Sequence, residues 1–243
     1  MLDYVGLRLN QAVAASGLCS RKAAARLISA GQVLVNQQPH PHHYLIKAGD
    51  VIVVNGQELA PPPPRQYWIY HKPVGIDCNL NAQDPASLYH ILQQLPVRLF
   101  PFGRLDKDSS GLLILSNDGE LAQRLMHNSS AHTKHYEVTV AQPITAQQLM
   151  SLATGVQWVV GPHRYIAKPC PVTAINAQQF RIILTEGQNR QIRYMCRSVG
   201  LKVIGLKRLQ INQLVLNEAV GELRPLTNEE WHQLVEPAVA GKN

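Results

Sequence analysis

The chain has 243 residues, 45% of them hydrophobic and only 16% charged, with a formal net charge of +7. That length and apolar content suit one large domain, or a small domain joined to a larger one, and exclude disorder as a global description. No stretch approaches the roughly 18 to 20 apolar residues that span a bilayer, and the positive surplus suggests a polyanionic partner if it is concentrated. Met1 to Asn10 show no basic segment leading into an apolar run, so no secretory signal is expected. Cys19, Cys78, Cys170 and Cys196 are scattered without CxxC spacing. This argues against a zinc site or a disulfide framework and fits a reducing, cytoplasmic setting.

Two short helices come first. Leu9, Val13 and Leu18 suggest one ending near Ser16-Gly17; Ser20 is a good N-cap for a second over Arg21 to Ala30, and Gly31 a good stop. Leu27 and Ile28 supply the apolar side of the second helix, while Arg21, Lys22 and Arg26 crowd another. Val33 to Asn36 and Gly49 to Gly56 are β-rich runs beside turn residues. Arg8-Leu9-Asn10, Ser20-Arg21, Gly31-x-Val33-x-Val35-Asn36 and Gly49-Asp50 together resemble an S4 RNA-binding module, over roughly Leu7 to Val54. The resemblance implies that Arg8, Arg21, Lys22 and Arg26 meet RNA phosphates; by residue type alone the helix cations are equally a solvated face. Gln37 stands where that family usually has Gly, so the hairpin is expected to differ there.

Pro61 to Pro64 cannot continue a helix or a sheet ladder and favour an extended, semi-rigid spacer. The expected organisation is a small module over 1–60, a Pro-rich linker over 61–65 and a larger domain over 66–243. In the larger part, Tyr67 to Lys72, Leu112 to Ser116, His135 to Ala141, Phe180 to Thr185 and Leu209 to Leu216 read as strands. Ser87 to Leu95, Glu120 to His127, Thr145 to Leu152, Arg190 to Val199 and Asn228 to Val235 read as helices, the last with Thr227-x-x-Glu230 as a capping box. Period-two runs such as Tyr136-x-Val138-x-Val140 suit a half-covered sheet. The fold class expected is α+β with a mostly antiparallel sheet.

The most informative stretch runs from Gly103-Arg104-Leu105-Asp106-Lys107-Asp108-Ser109 through Gly111 into Leu112 to Ser116 and Asn117-Asp118-Gly119. A glycine-bracketed loop sets acidic side chains at the start of a buried strand. A calcium loop is disfavoured by Asn117 at the twelfth position and the apolar run before it, and a metal-dependent nuclease by the lack of His or Glu nearby. A carboxylate doing covalent or general-base work, and a structural turn, remain open on spacing.

Gly103-Arg104-Leu105-Asp106, Ser109-x-Gly111-Leu112-Leu113 and Asn117-Asp118-Gly119 closely resemble the catalytic motif of pseudouridine synthases that modify ribosomal RNA. His71-Lys72-Pro73-x-Gly75, Lys134-x-Tyr136-x-Val138 and Glu186-Gly187-x-Asn189-Arg190-Gln191-Ile192-Arg193 follow in the family's order. The match is to the branch with an N-terminal S4 module, the RsuA/RluB type, over roughly Arg8 to Leu234. Phe100 to Ser109 and Cys196 after Met195 look most like the large-subunit enzymes of RluF type.

The resemblance implies an isomerase that breaks the C1′–N1 bond of a uridine, turns the base and joins C5 to C1′. It assigns the essential carboxylate to Asp106, stacking and C5 deprotonation to Tyr136, and the partner of Asp106 to Arg193. Arg190 and Arg197 then meet phosphates or solvent, and Lys72, Arg104 and Lys134 are candidate substrate contacts. The implied partner is ribosomal RNA, with transfer RNA open as a secondary target, for a monomer with no membrane association. No cofactor and no metal are expected, since no phosphate cradle or ligand cluster appears and the isomerisation is redox-neutral. Relatives often end in a long basic tail that has no counterpart soon after Leu234. A non-catalytic RNA-binding or ribosome-assembly protein retaining the fold is the alternative. Arg181, Arg190, Arg193, Arg197, Lys202, Lys207 and Arg208 face only Glu186 within residues 181 to 208, so the surplus charge is expected to flank Asp106.

Overall fold

The computed structural model describes residues 4–121 and 132–236. Helices α1 (Leu9–Ala15) and α2 (Arg21–Ser29) form where the caps stand. The Arg8 backbone N–H donates to Gln11 Oε1 at 2.9 Å, and the Ser20 hydroxyl accepts from the Ala23 N–H. A four-stranded antiparallel sheet follows: β1 (Val33–Val35), β2 (Gln38–Pro39), β3 (Ile52–Val54) and β4 (Gln57–Glu58), in the order β2-β1-β3-β4. Its core gathers Leu9, Ala12 and Val13 from α1, Ala24 and Ile28 from α2, and Val33, Val35, Ile52 and Val54 from the strands. Burying the apolar stripe of α2 leaves Arg21, Lys22 and Arg26 exposed on its other side.

Asn36 and Gln37 both take positive φ, 50° and 66°. This is the two-residue turn whose twist matches a hairpin, and Gln37 takes the left-handed conformation that glycine would adopt freely. The turn is held from outside, since Asp50 accepts from Asn36 Nδ2 at 2.9 Å and the Val51 N–H donates to Asn36 Oδ1 at 3.0 Å.

The larger sheet has nine strands. These are β5 (Tyr67–Lys72), β6 (Phe100–Phe102), β7 (Ser110–Ser116), β8 (Lys134–Val140), β11 (Val172–Asn176), β12 (Gln179–Leu184), β13 (Val203–Ile211), β14 (Leu214–Val215) and β15 (Leu223–Pro225). The main path is β11-β12-β8-β13-β7-β5-β15, with β14 beside β13 and β6 beside β7. The pairs with a resolved register are antiparallel except β13 with β7. A separate hairpin joins β9 (Gln157–Val160) to β10 (His163–Ile166). Among the described residues the helices of this part are α3 (Tyr89–Leu92), α4 (Ala146–Thr154), α5 (Gln191–Ser198) and α6 (Asn228–Val235). The core of this part packs Val138, Val140, Phe180 and Ile182 against Leu152, Ile192, Met195 and Cys196.

The mixed α+β architecture and its mostly antiparallel sheet match the reading from sequence. Thr145 and Thr227 each cap a helix in a complete capping box. Two of the expected elements take another form. The helix from Ser87 shrinks to Tyr89–Leu92, because Asp77 and Ser87 form a β-bridge and Leu95 precedes Pro96. The run from Leu209 to Leu216 is two strands, broken where Asn212 turns to a φ of 52°. The helix expected over Glu120 to His127 lies outside the described residues from position 122 on.

Two compact units emerge from the contacts. One comprises the chain up to Gln66 with Ile91–Phe100 and Ser116–Gly119; the other comprises Tyr67–His90, Pro101–Leu115 and the described residues from Glu120 on. Within the first, Asn117 Nδ2 donates to the Pro64 carbonyl at 2.9 Å and the Gln66 N–H donates to Asn117 Oδ1 at 2.8 Å. Arg65 pairs with the buried carboxylate of Asp118 at 3.1 Å. Asn117-Asp118 thus anchors the end of the proline run.

Candidate active site

Asp106 sits on a loop held at both ends. Arg208, only 1% exposed on β13, donates from Nη2 to the Gly103 carbonyl at 2.6 Å and from Nε to the Leu112 carbonyl at 2.8 Å. Gly111 packs against the same strand so closely that a Cβ there would lie 2.2 Å from the Arg208 carbonyl oxygen, and its φ is 110°. Only glycine fits. From another side the Gly75 N–H donates to the Lys107 carbonyl at 2.8 Å. Lys72 is fully buried and donates from Nζ to the carbonyls of Pro73 and Ile76, at 2.9 and 2.6 Å. Burial pushes its pKa down. Expected from sequence as a substrate contact, it braces the segment under Asp106 and is not among the residues that line the cleft.

Arg190 caps α5 with a left-handed backbone, φ 52°, at a cost of about 1–2 kcal/mol for a residue with a Cβ. Its guanidinium grips both oxygens of Asp108, at 3.2 and 2.9 Å, a bidentate pair. The same head lies 3.6 Å from Asp106 Oδ2. Arg193 points elsewhere: its Nη2 donates to the Asp108 carbonyl at 2.8 Å and to Ser109 Oγ at 3.2 Å, and lies 3.2 Å from Asp108 Oδ1. The expected Arg193–Asp106 pairing is therefore replaced, with Arg190 facing Asp106 and Arg193 fixing the loop two residues on. The helix starts one residue later than expected, so Arg190 stands at its N-cap and turns toward both carboxylates. Arg197 is exposed on α5 outside the cleft.

The loop borders a cleft of about 650 Å³, within the roughly 300–1,000 Å³ usual for ligand sites. Arg104, Asp106, Lys134, Tyr136 and Arg190 all line it, as does Arg208, which the sequence had given only as one of the cations expected to flank Asp106. Strand register explains the grouping. Tyr136 on β8 stands opposite Arg208 on β13 and Ile182 on β12, so all three side chains share a face. Lys134 and Tyr136 occupy the cleft end of that face, and Val138 and Val140 its core end. Tyr136 is half-buried with part of its ring on the core, which leaves it to line the cleft from a fixed position. The wall from Thr185 to Gln191 is braced by Glu186, buried at 9%, which accepts from Gln191 Nε2 at 2.6 Å and from the Lys168 N–H at 3.2 Å.

Residues 66–198 match the RNA pseudouridylate synthase family model, and residues 7–52 match the S4 domain. The chain belongs to the RNA pseudouridylate synthase family. It is 36% identical over 233 residues to the dual-specificity RNA pseudouridine synthase RluF of Escherichia coli K12, covering 95% of this chain and 79% of that one. It is 34% identical over 244 residues to ribosomal large subunit pseudouridine synthase B of Bacillus subtilis 168, covering 97% and 98%. A crystal structure of a pseudouridylate synthase superposes with a TM-score of 0.69 at 29% identity, over 94% of this chain and all of that one. The protein is thus an S4-bearing pseudouridine synthase, an RNA-modifying isomerase.

Within the pseudouridine synthase part, the motifs named from sequence divide by position. Gly103 to Asp106, Lys134-x-Tyr136 and Glu186 to Gln191 border the cleft, whereas His71-Lys72-Pro73 supports it from inside. His71 is buried and its Nδ1 lies 2.7 Å from the Glu218 carbonyl. Among the described residues no group of three His, Cys, Asp or Glu side chains converges to hold a metal.

Proposed function

We propose that this pseudouridine synthase modifies a uridine of large-subunit ribosomal RNA, with Asp106 as the essential carboxylate and Tyr136 as the aromatic partner of the base. The observation that carries the reading is the placement of Asp106 and Tyr136 on one cleft, with the Arg190 guanidinium 3.6 Å from the carboxylate. A uridine in folded RNA reaches such a cleft by leaving its stack, at a cost of a few kcal/mol. Stacking on Tyr136 offsets part of that cost, at about 1–3 kcal/mol per base.

The isomerisation is internally balanced. The C1′–N1 bond breaks, the uracil turns in place, C5 bonds to C1′, and the C5 proton leaves while N1 regains one. Asp106 acts on the nucleotide as the one carboxylate that the braced loop holds at the cleft. Tyr136 stacks against the uracil and is placed to take part in removing the C5 proton. Arg190 orients Asp106, while Arg193 and Arg208 are positioning residues that act through the loop backbone. Arg104 is exposed at the rim and meets the RNA strand, and Arg8, Arg21, Lys22 and Arg26 on the S4 unit dock it by phosphate contacts. Arg197 adds a further solvent-facing cation.

Large-subunit RNA is favoured because a relative at 34% identity is named for the ribosomal large subunit. The name of RluF, a dual-specificity RNA enzyme, brings a second RNA class into the test. Purified protein incubated separately with large-subunit, small-subunit and transfer RNA, followed by pseudouridine mapping, is expected to yield a discrete site in the large-subunit RNA. A site confined to another RNA class would contradict the target assignment.

A further inference from the structure

The cleft floor holds more positive charge than its own residues compensate. Lys134 is half-buried and lines the cleft, and its side chain makes no hydrogen bond or ion pair among the described residues. Arg208, opposite Tyr136 in the β8–β13 pairing and so diagonal to Lys134, spends its hydrogen bonds on two backbone carbonyls and pairs with no carboxylate among the described residues. The acids nearby are committed elsewhere. Asp106 faces Arg190, Asp108 is gripped by Arg190 and Arg193, and Glu186 is turned into the Gln191 and Lys168 bonds. Burial pushes the Lys134 pKa down and the Arg208 charge pushes it further the same way, with no carboxylate pulling it back. Asp77, which also lines the cleft, accepts from the Asn79 N–H, so neither cation is ion-paired with a carboxylate among the described residues, and an uncompensated buried charge costs free energy unless a ligand supplies the opposite one.

We infer that Lys134 and Arg208 form an anion subsite that takes a phosphodiester of the target strand, beside the uridine seated on Tyr136. Lys134 supplies the mobile charge, and Arg208 supplies a fixed field while it clamps Gly103 and Leu112. The Lys134-x-Tyr136 spacing then acquires a physical reason. Alternate residues of one strand face the same way, so the cation and the stacking ring are about 6–7 Å apart, the separation of a nucleotide's phosphate from its base. The cleft thus recognises a nucleotide within a strand rather than a free base. This inference rests on the proposed function and deepens it.

The test uses the full chain and leaves Arg208 intact, since its loss would release the loop. RNA dissociation constants are measured against potassium chloride concentration for the wild type, Lys134→Gln and Lys134→Arg. Unfolding temperatures are measured in inorganic phosphate and in chloride of matched ionic strength. Lys134→Gln is expected to lower the logarithmic salt slope by about 0.7, one phosphate contact on a single strand. Lys134→Arg is expected to keep the wild-type slope, and phosphate is expected to raise the unfolding temperature of the wild type and Lys134→Arg only. A wild-type slope in Lys134→Gln, or equal stabilisation of that variant by phosphate, would overturn the subsite. Neither readout requires pseudouridine formation, so wild-type protein that binds without isomerising would count against the proposed function alone.

Discussion

Arg190 gives up a relaxed backbone to reach two carboxylates, and the consequence is an acid-resistant clamp on the loop. Its guanidinium holds Asp108 below the usual carboxylate range, with Arg193 acting in the same sense. An acid whose pKa is depressed on folding contributes its full stabilisation above the unfolded value, about 3.9. It loses that stabilisation as pH falls through the lower folded value. The clamp should therefore stay closed through neutral and mildly acid pH and open only below about pH 4. Carboxyl chemical shifts followed by NMR should place the Asp108 midpoint below that of an unfolded-chain Asp, and a midpoint at or above it would refute the clamp. Single-residue roles were the least legible level of the sequence. The motif named Lys72 and Arg193 without saying that one lies wholly inside and the other serves Asp108. Arg208 was legible only as one of several cations expected to flank Asp106, because its burial depends on β13 pairing with both β7 and β8, a non-local fact.

At the scale of elements, strands with clean alternation and helices with side-chain caps were readable. Helix α6 agrees at both ends with the reading from its capping box, and β5 agrees residue for residue. Strand β13 was read only from Leu209, because Gly205, Lys207 and Arg208 interrupt its apolar pattern. Tertiary contacts rescue it, with Gly205 set close against Thr139 and Arg208 satisfied by carbonyls of the neighbouring loop. The β9–β10 hairpin was unread although Gly161-Pro162 follows an apolar run, a turn signal available in the sequence. The S4 hairpin supports a quantitative expectation. Gln37 holds a φ of 66° that costs a side chain about 1–2 kcal/mol, and glycine returns part of this as unfolded-state entropy. Gln37→Gly should stabilise the chain by roughly 0.5 kcal/mol in urea denaturation; a destabilisation would mean that Gln37 makes a contact worth more than the backbone relief.

For the whole molecule, the net charge of +7 proves less available than its sequence clustering suggested. Arg208 is internal, and Arg190 and Arg193 are partly neutralised by Asp108. The freely exposed cations include Arg21, Lys22 and Arg26 on α2, with Arg181, Arg197 and Lys202 on the larger unit. Replacing Arg21, Lys22 and Arg26 together by Gln should weaken RNA binding and reduce its salt slope by about 2, at roughly 0.7 per phosphate contact. Single-turnover isomerisation at saturating RNA should stay near the wild-type rate. An unchanged slope would remove the S4 helix from the RNA interface. The order of an S4 part followed by a pseudouridine synthase part was visible from the order of the motifs. The added segments that pack with the first unit, Ile91–Phe100 and Ser116–Gly119, were not, since only three-dimensional contact assigns them.

The central claim is that the braced carboxylate of Asp106 performs the isomerisation. Asp106→Asn keeps the size and removes the charge, and the loop's hydrogen bonds to Gly103, Lys107, Asp108 and Leu112 do not involve the changed side chain. The most direct measurement is single-turnover pseudouridine formation by this variant, beside its RNA dissociation constant. The expected result is a loss of at least about 10³-fold in rate, some 4 kcal/mol of barrier, with RNA affinity within a few-fold of wild type. A variant that forms pseudouridine at the wild-type rate would contradict it.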